Sequence, residues 1–326
     1  NGEMVRNAFS IGPEDTMVAC QCMAHNFVFA QQVFPVLSAG GSVFVVEFGD
    51  VGGTIAALRQ DATMIMLIPW FAYRLFEALR AHPLDLPALR MCFVGGDRID
   101  PSLLELGRAA TGIPISQNIG MTETNSFAAD IGGAPWSKPG SLGRPLPGAE
   151  VEIRDDRGKP VSTGTSGQIW VRSPGNMAGY WNNPEATEAT LVDGWVATGD
   201  AGHFDEDGLL WFDGRIKHII IHDGDNIYPA EVERAILRHP GVDAVTVFGL
   251  PHPRHGEVVA AAIAGSRPTL PEAAALRAFL KEHLSAAKIP CHWLRLRQIP
   301  LNRNGKPNIP AIRDALAAQP GFRVGM

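Results

Sequence analysis

Between residues 26 and 116, short β-branched and aromatic runs alternate with longer amphipathic ones, and that alternation limits the fold more than any other feature. Residues 26–37 are mostly apolar and of helical length, and residues 42–48 form a β-branched and aromatic run. A short helix over 54–61, a buried strand over 63–68 and an amphipathic helix over 70–81 follow. Residues 91–94 are again strand, and residues 101–110 a helix with proline at its first turn. Strands that alternate with helices predict a parallel sheet joined by crossover helices. In such sheets ligands sit beyond the carboxyl ends of the strands. Two glycine-bearing sequences fall at such ends. Gly95-Gly96-Asp97 follows the strand over 91–94, and Gly120-Met-Thr-Glu123 follows a short strand over 113–116.

The second of these carries chemistry. A glycine lets backbone approach a ligand closely. A hydroxyl beside a carboxylate, as in Thr122-Glu123, can serve a phosphate and its Mg²⁺ together, because Mg²⁺ prefers oxygen ligands shared between the two. Near residue 132 the texture changes. Residues 132–148 are rich in Gly and Pro, and the strands expected over 150–154, 168–172 and 209–212 are short, which predicts a small, mostly antiparallel β unit. After Gly214 a helix over 229–238, strands over 244–249 and 257–264, and a helix over 271–283 predict a compact α+β domain. The fold class is therefore α/β: part of a large domain over 1–213 (sheet over 1–131, β unit over 132–213), then a small α+β domain over 214–326. The boundary is placed at 213–217.

Composition removes several alternatives. With 326 residues, 45% hydrophobic and 19% charged, the chain suits a soluble protein of about two domains. A net charge of −6 disfavours a nucleic-acid surface. No apolar run approaches the roughly 20 residues needed to span a bilayer, and the first residues lack the pattern of a signal peptide. The four cysteines, Cys20, Cys22, Cys92 and Cys291, do not complete a zinc pattern and read as reduced thiols of a cytoplasmic protein. His252-Pro-Arg-His255 has no carboxylate partner nearby in sequence and reads as an ordinary surface loop.

Six segments, in this order, resemble the adenylate-forming superfamily of acyl- and aryl-CoA synthetases, luciferases and peptide-synthetase adenylation domains. They are Gly120-Met-Thr-Glu123, Gly179-Tyr-Trp181, Asp193-Gly-Trp-Val-Ala-Thr-Gly-Asp200, Gly214-Arg-Ile-Lys217, Gly224-Asp-Asn-Ile-Tyr-Pro-Ala-Glu-Val-Glu233 and Asn304-Gly-Lys306. The resemblance implies that a carboxylate attacks the α-phosphate of MgATP to give an acyl-adenylate. A thiol, usually that of coenzyme A, then displaces AMP. Thr122 matches the hydroxyl on the α-phosphate, and Glu123 the Mg²⁺ carboxylate. Asp200 matches the acceptor of both ribose hydroxyls, and Arg215 a second ribose contact. Lys306 matches the lysine that bridges carboxylate and phosphate, Lys217 the hinge, and Gly224 the lining of the thiol tunnel. Gln117 stands where an amide commonly reads the adenine edge. Gly95, Gly96, Asp97, Asn118, Ile119, Gly120 and Met121 complete the implied nucleotide site, with His25, Asn26 and Val94 at the implied acyl pocket.

Several positions depart from the family pattern. Ile119 replaces the usual aromatic over adenine, and Val196-Ala197 a common aromatic–Arg pair. Asp223 stands where Gly or Ser is commoner, and Pro307 follows the lysine. No phosphate loop ending in Pro-Lys-Gly is found, so the chain is expected to be a fragment with weak adenylation alone, and with uncovered apolar faces that favour self-association. No acidic residue adjoins His25 to hold an α-ammonium, which points to a small aryl or medium acyl acid. His25 could equally be a core histidine that caps the helix over 26–37, and Asn26 could equally be an N-cap. A carrier-protein thiol as acceptor, and a non-catalytic nucleotide- or acyl-binding remnant, stay open. A dinucleotide dehydrogenase shares the fold class but needs Gly-x-Gly-x-x-Gly after an early strand, which is missing.

Overall fold

A strand with every residue buried needs cover on both faces, and Met64–Leu67 is such a strand. Met64 and Met66 pack with Phe9, Met17 and Phe93 on one face. Ile65 and Leu67 pack with Phe71, Leu75 and Phe76 on the other. The computed structural model describes residues 2–96, 99, 101–265, 270–301 and 307–319. Asp97 and the segment 302–306, which holds Lys306, lie outside the described residues.

The first elements are α1 (Gly2–Ala8), β1 (Thr16–Ala19), α2 (Asn26–Val28), a π-helical turn (Phe29–Val33), α3 (Phe34–Ser38), β2 (Ser42–Val45) and α4 (Val51–Leu58). Next come β3 (Met64–Leu67), α5 (Pro69–Ala81), β4 (Met91–Gly95), α6 (Pro101–Thr111), β5 (Ile115–Met121), β6 (Asn125–Asp130) and β7 (Arg144–Pro145). Helix α5 begins where Pro69 can occupy the first turn without losing a hydrogen bond. It buries Phe71, Ala72, Leu75, Phe76 and Leu79, one stripe at helical spacing. It packs tightly on α6, where a Cβ on Gly107 would lie 2.6 Å from the Phe76 ring.

These strands form one seven-stranded sheet in the order β2-β1-β3-β4-β5-β6-β7. The pairs from β2 to β5 are parallel, whereas β5–β6 and β6–β7 are antiparallel. The strands that alternate with helices are thus parallel as expected, and β6 and β7 add an antiparallel edge that the sequence reading did not include. Strand β6, Asn125-Ser-Phe-Ala-Ala-Asp, is almost entirely buried but built from small residues, so no β-branched run announces it.

A second sheet contains β8 (Glu150–Arg154), β9 (Gly167–Arg172), β10 (Leu191–Val192), β11 (Trp195–Phe204) and β12 (Leu210–Arg215), with α7 (Pro184–Thr190) before β10. Its order is β10-β11-β9-β8, with β12 on β11. A third sheet contains β13 (Ile220–His222), β14 (Asp225–Ile227), β15 (Ala244–His252), β16 (Gly256–Ala264) and β17 (His292–Leu296), in the order β14-β13-β16-β15 with β17 on β16. Around it lie α8 (Pro229–Leu237), α9 (Ala273–Leu280) and α10 (Ile309–Ala317). Val259, Ala261 and Ile263 face Val232, Ile236, Leu276 and Leu280. The alternate residues Val258, Ala260 and Ala262 face Ile312 and Leu316. The chain divides into two compact units. One holds residues up to Thr198 with Gly202–Phe212, and the other holds Gly199–Ala201 with residues from Asp213 onward. Among the described residues no helix is long and apolar enough to cross a membrane.

In the first unit Asp15, 1% exposed, anchors the leading ends of three strands. Arg90 grips both its oxygens, through Nε and Nη2, at 2.7 Å each. The Thr63 hydroxyl donates at 2.7 Å and the Gly12 amide at 2.9 Å. Burial pushes the Asp15 carboxyl up, but the bonds from Arg90, Gly12 and Thr63 outweigh it and bring it from 3.8 to about 2. Asp15→Asn is expected to cost about 2 kcal/mol in urea unfolding at neutral pH. Because the folded value is lowered, this stabilisation is complete above the unfolded carboxyl's range and is lost as pH falls through about 2. The gap between wild type and variant should therefore close below about pH 4. A gap that stays constant down to pH 2 would contradict the assignment.

Candidate functional site

In the first unit the Gly-Met-Thr-Glu sequence is the tip of a hairpin. Gly120 and Met121 end β5, residues 122–124 make the turn, and Asn125 begins β6 in a left-handed conformation (φ 56°). The β5–β6 register shifts between Ile119 and Gly120, a bulge that bends the ladder. A Cβ on Gly120 would collide with the carbonyl oxygen of Asn125. The glycine is thus demanded by the bulged partner strand itself, where the sequence suggested ligand approach.

The tip is held from two sides. Glu123 Oε1 accepts the Tyr180 hydroxyl at 2.7 Å, and the Glu123 carbonyl accepts the Met177 amide at 2.7 Å. Burial, and then the bond to Glu123, raise the Tyr180 phenol above its ordinary value, so it stays a donor at neutral pH. Thr122 is exposed beside this clamped carboxylate. On the other side Asn125 Oδ1 accepts Asn26 Nδ2 at 2.7 Å, and Asn125 Nδ2 reaches the Gly175 carbonyl at 3.2 Å. The Asn26 contact fixes the start of α2 against the hairpin. The N-cap there is His25, whose Nδ1 accepts the Phe27 amide, so the histidine caps the helix as one reading had it; it is exposed rather than in the core, and Asn26 is not the cap.

Beneath the tip lies a buried polar cluster. Asn118 Nδ2 donates to Gln31 Oε1 at 3.0 Å and to Ser126 Oγ at 2.9 Å, and Ser126 Oγ donates to Gln31 Oε1 at 2.7 Å. Gln31 sits in the π-helical turn, a local widening often found near functional sites. Asn118 pairs with Gly95 across β4 and β5, and a Cβ on Gly95 would strike Asn118 Oδ1. Gln117, 3% exposed, points to the opposite face of β5, where its Nε2 has no hydrogen-bond partner among the described residues. Gly96 is left-handed (φ 82°). Val94 is fully buried in the cluster of Leu67, Phe71 and Phe76, while Ile119 is half-buried.

In the second unit Arg215 Nε meets Asp200 Oδ1 at 2.7 Å. Asp200 is 5% exposed, and a carboxylate that deep needs a cationic partner. Arg234 meets Asp213 Oδ1 at 3.3 Å. Lys217 is exposed in a single 3₁₀ turn, Ile216–His218. Gly224 follows Asp223 in the two-residue loop that joins β13 to β14, and both are left-handed (φ 51° and 87°). Two such residues make the turn that matches the twist of a hairpin, which explains the Asp-Gly pair.

Tyr180, Gln31 and Asn125 are the residues that sequence reading left without a role. Gly179-Tyr-Trp181 marked the first by motif, and nothing in spacing marks the other two. Gly120→Ala should lower unfolding stability by about 1–3 kcal/mol with no nucleotide present, measured in urea. Unchanged stability would return this glycine to a purely ligand-facing role.

Comparison with known proteins shows the family. Residues 1–181 match the family model "AMP-binding enzyme", and residues 231–306 match "AMP-binding enzyme C-terminal domain". An indoleacetate–CoA ligase of Aromatoleum aromaticum is 34% identical over 310 residues, covering 94% of this chain and 60% of the ligase. A fatty acid–[acyl-carrier-protein] ligase of Streptomyces coeruleorubidus is 32% identical, covering 83% of this chain and 56% of that protein. The structure of O-succinylbenzoate coenzyme A synthetase from Bacillus subtilis, in complex with ATP and magnesium, superposes with a TM-score of 0.81 at 29% identity. It covers 97% of this chain and 64% of that one. The chain thus spans about three fifths of the length of such relatives. It belongs to the AMP-binding enzymes, the adenylate-forming family that its six motifs resemble.

Proposed function

We propose that the protein activates a small carboxylic acid with MgATP as an acyl-adenylate and passes the acyl group to the thiol of coenzyme A. The observation that carries this reading is the hairpin tip. An exposed hydroxyl, Thr122, stands beside a carboxylate, Glu123, that Tyr180 holds in place. In the first step a substrate carboxylate oxygen bonds to the α-phosphorus and the bond to pyrophosphate breaks. In the second, the thiol sulfur bonds to the acyl carbon, AMP leaves and the thiol proton passes to solvent. Both steps need positioning and charge neutralisation more than a strong base.

Thr122 is assigned to the α-phosphate. Glu123 fits a magnesium site: Tyr180 takes Oε1 and leaves Oε2, and Mg²⁺ is commonly held by one or two carboxylates with phosphates and water. When bound, Mg²⁺ would neutralise phosphate charge. Asp200, paired with Arg215, suits the two donors of a ribose diol. The unpartnered Gln117 amide suits an adenine edge, with Ile119 against a face of the base. Gly95, Gly96, Asp97, Asn118, Gly120 and Met121 belong to the same assignment as the frame of the nucleotide site. Lys306 is assigned to bridge carboxylate and phosphate, Lys217 to the hinge, and Gly224 to the thiol path. The small domain from residue 214 is assigned as the mobile one.

His25 and Asn26, beside the hairpin, are assigned to the acyl pocket together with Val94. With no acidic residue adjoining His25 in the sequence to hold an ammonium, an aryl or medium acyl acid fits better than an amino acid. The free cysteines fit a cytoplasmic location. The carrier-protein relative keeps a protein-borne thiol as the second acceptor to test.

With the intact protein, at least one acid of an aryl and medium-chain panel should yield pyrophosphate, AMP and a CoA thioester. Lys306→Ala should slow adenylation about 10²–10³-fold. A thioester on carrier protein alone would replace the acceptor. Wild-type adenylation by the variant, or no acid that releases AMP, would overturn the reading.

A further inference from the structure

A group of donors in the second unit, beside Gly224 but made of side chains with no role assigned above, has the composition of a metal site. His222, Asp223 and His255 place one ligand atom each within 4.8 Å of one another. The carboxylate that sequence reading found missing from the His252-Pro-Arg-His255 loop is therefore supplied by Asp223, in the turn between β13 and β14.

The orientation of each donor is settled by its hydrogen bonds. His222 Nδ1 lies 2.7 Å from the Glu257 carbonyl oxygen. A carbonyl only accepts, so Nδ1 carries the proton, and the neutral ring keeps its lone pair on Nε2. That Nε2 faces Asp223 Oδ2 at 3.6 Å. A ring nitrogen bonded to a backbone carbonyl, with the other left as donor, is the arrangement that fixes metal-ligating histidines. His255 Nδ1 lies 2.8 Å from Asp223 Oδ1 and 2.9 Å from Oδ2. Tetrahedral zinc, at roughly 2.0–2.2 Å from nitrogen and oxygen, separates its ligand atoms by roughly 3.4 Å. The spacings from Asp223 to the two rings bracket that figure, and the two imidazoles, stacked with centroids 5.0 Å apart, must turn out of their stack for both nitrogens to reach one ion.

The backbone holds the three together before any ion arrives. Asp223 N donates to the His255 carbonyl at 3.1 Å, and Glu257 N donates to the same oxygen at 2.8 Å. His222 pairs with Gly256 across β13 and β16. His252 is not a fourth ligand. Its Nδ1 accepts the amides of Arg254 and His255 at 3.2 Å each, and its ring stacks on His255 with centroids 4.7 Å apart. Asp223 is exposed, which leaves a side of the cluster open to water.

We propose that His222 Nε2, His255 Nδ1 and one carboxylate oxygen of Asp223 bind a divalent transition ion of the zinc class, with water completing the tetrahedron. Two imidazoles and a carboxylate with an open position suit Zn²⁺ better than Mg²⁺ or Ca²⁺, which prefer oxygen alone. To bind, His255 Nδ1 must be without a proton, so in the bound form the ring carries its hydrogen on Nε2. The ion would pin the Asp223-Gly224 turn to the loop that precedes β16.

Cobalt(II), titrated into the tag-free full chain, provides the test. One equivalent should saturate with visible absorption of tetrahedral strength, and Zn²⁺ should displace it. His255→Gln and Asp223→Asn should each weaken binding at least about tenfold, the scale on which even outer-shell changes act. Asn tolerates the left-handed turn position, so Asp223→Asn keeps the hairpin. His252→Gln should bind as wild type does. No saturable one-equivalent binding, or wild-type affinity in His255→Gln and Asp223→Asn, would overturn the proposal.

Discussion

The β5–β6 hairpin depends on one close approach, the Gly120 backbone against the Asn125 carbonyl, and much of the first unit is arranged around it. The bulge at Ile119/Gly120 turns the tip, and Asn125 closes it in a left-handed conformation. Beneath it, three buried side chains, Gln31, Asn118 and Ser126, hydrogen-bond to one another, while Asn118 Oδ1 has no partner among the described residues. In a low-dielectric interior such a cluster is stabilising only when its members are matched, so it resists small shifts of the strands above it. The result is a turn whose backbone is placed by the sheet, with its carboxylate held by Tyr180. Preorganised polar groups of this kind are what charge-stabilising catalysis requires.

Glycines in this region serve packing before they serve a ligand. Gly95 leaves room for the Asn118 amide, and Gly120 for the partner strand. A motif residue can therefore be required by the fold and still lie at the site, because the fold positions the neighbours that act. Tyr180 illustrates the same point from the other side. It comes from a distant loop, yet its hydroxyl sets the orientation of Glu123.

The alternation over the first 116 residues made the parallel strands and their helices legible, since each has its own hydrophobic period. Strand β6 was not legible, because small residues bury without a β-branched signature. Strand β11 was missed for a related reason: Trp195-Val-Ala-Thr-Gly-Asp-Ala-Gly-His-Phe204 carries two glycines, which sequence reading takes for a loop. The motifs named Thr122, Glu123, Asp200 and Arg215, and the resemblance implied their roles. The contacts that orient them could not be read from the chain. Asn26 and Asn125 are 99 positions apart, Gln31 and Ser126 are 95 apart, and Tyr180 and Glu123 are 57 apart. No local period encodes pairs at such separations. His255 and Asp223, 32 apart, meet only because two hairpins of the third sheet end side by side.

The central claim is that the hairpin tip is the centre of carboxylate activation. Acid-dependent exchange of labelled pyrophosphate into ATP, followed against Mg²⁺ concentration in wild type and in Glu123→Gln, tests it most directly. The account predicts exchange in wild type. In the variant it predicts a loss of about 10²-fold or more at moderate Mg²⁺, partly recovered as Mg²⁺ is raised. Equal exchange by both proteins at every Mg²⁺ concentration would contradict it.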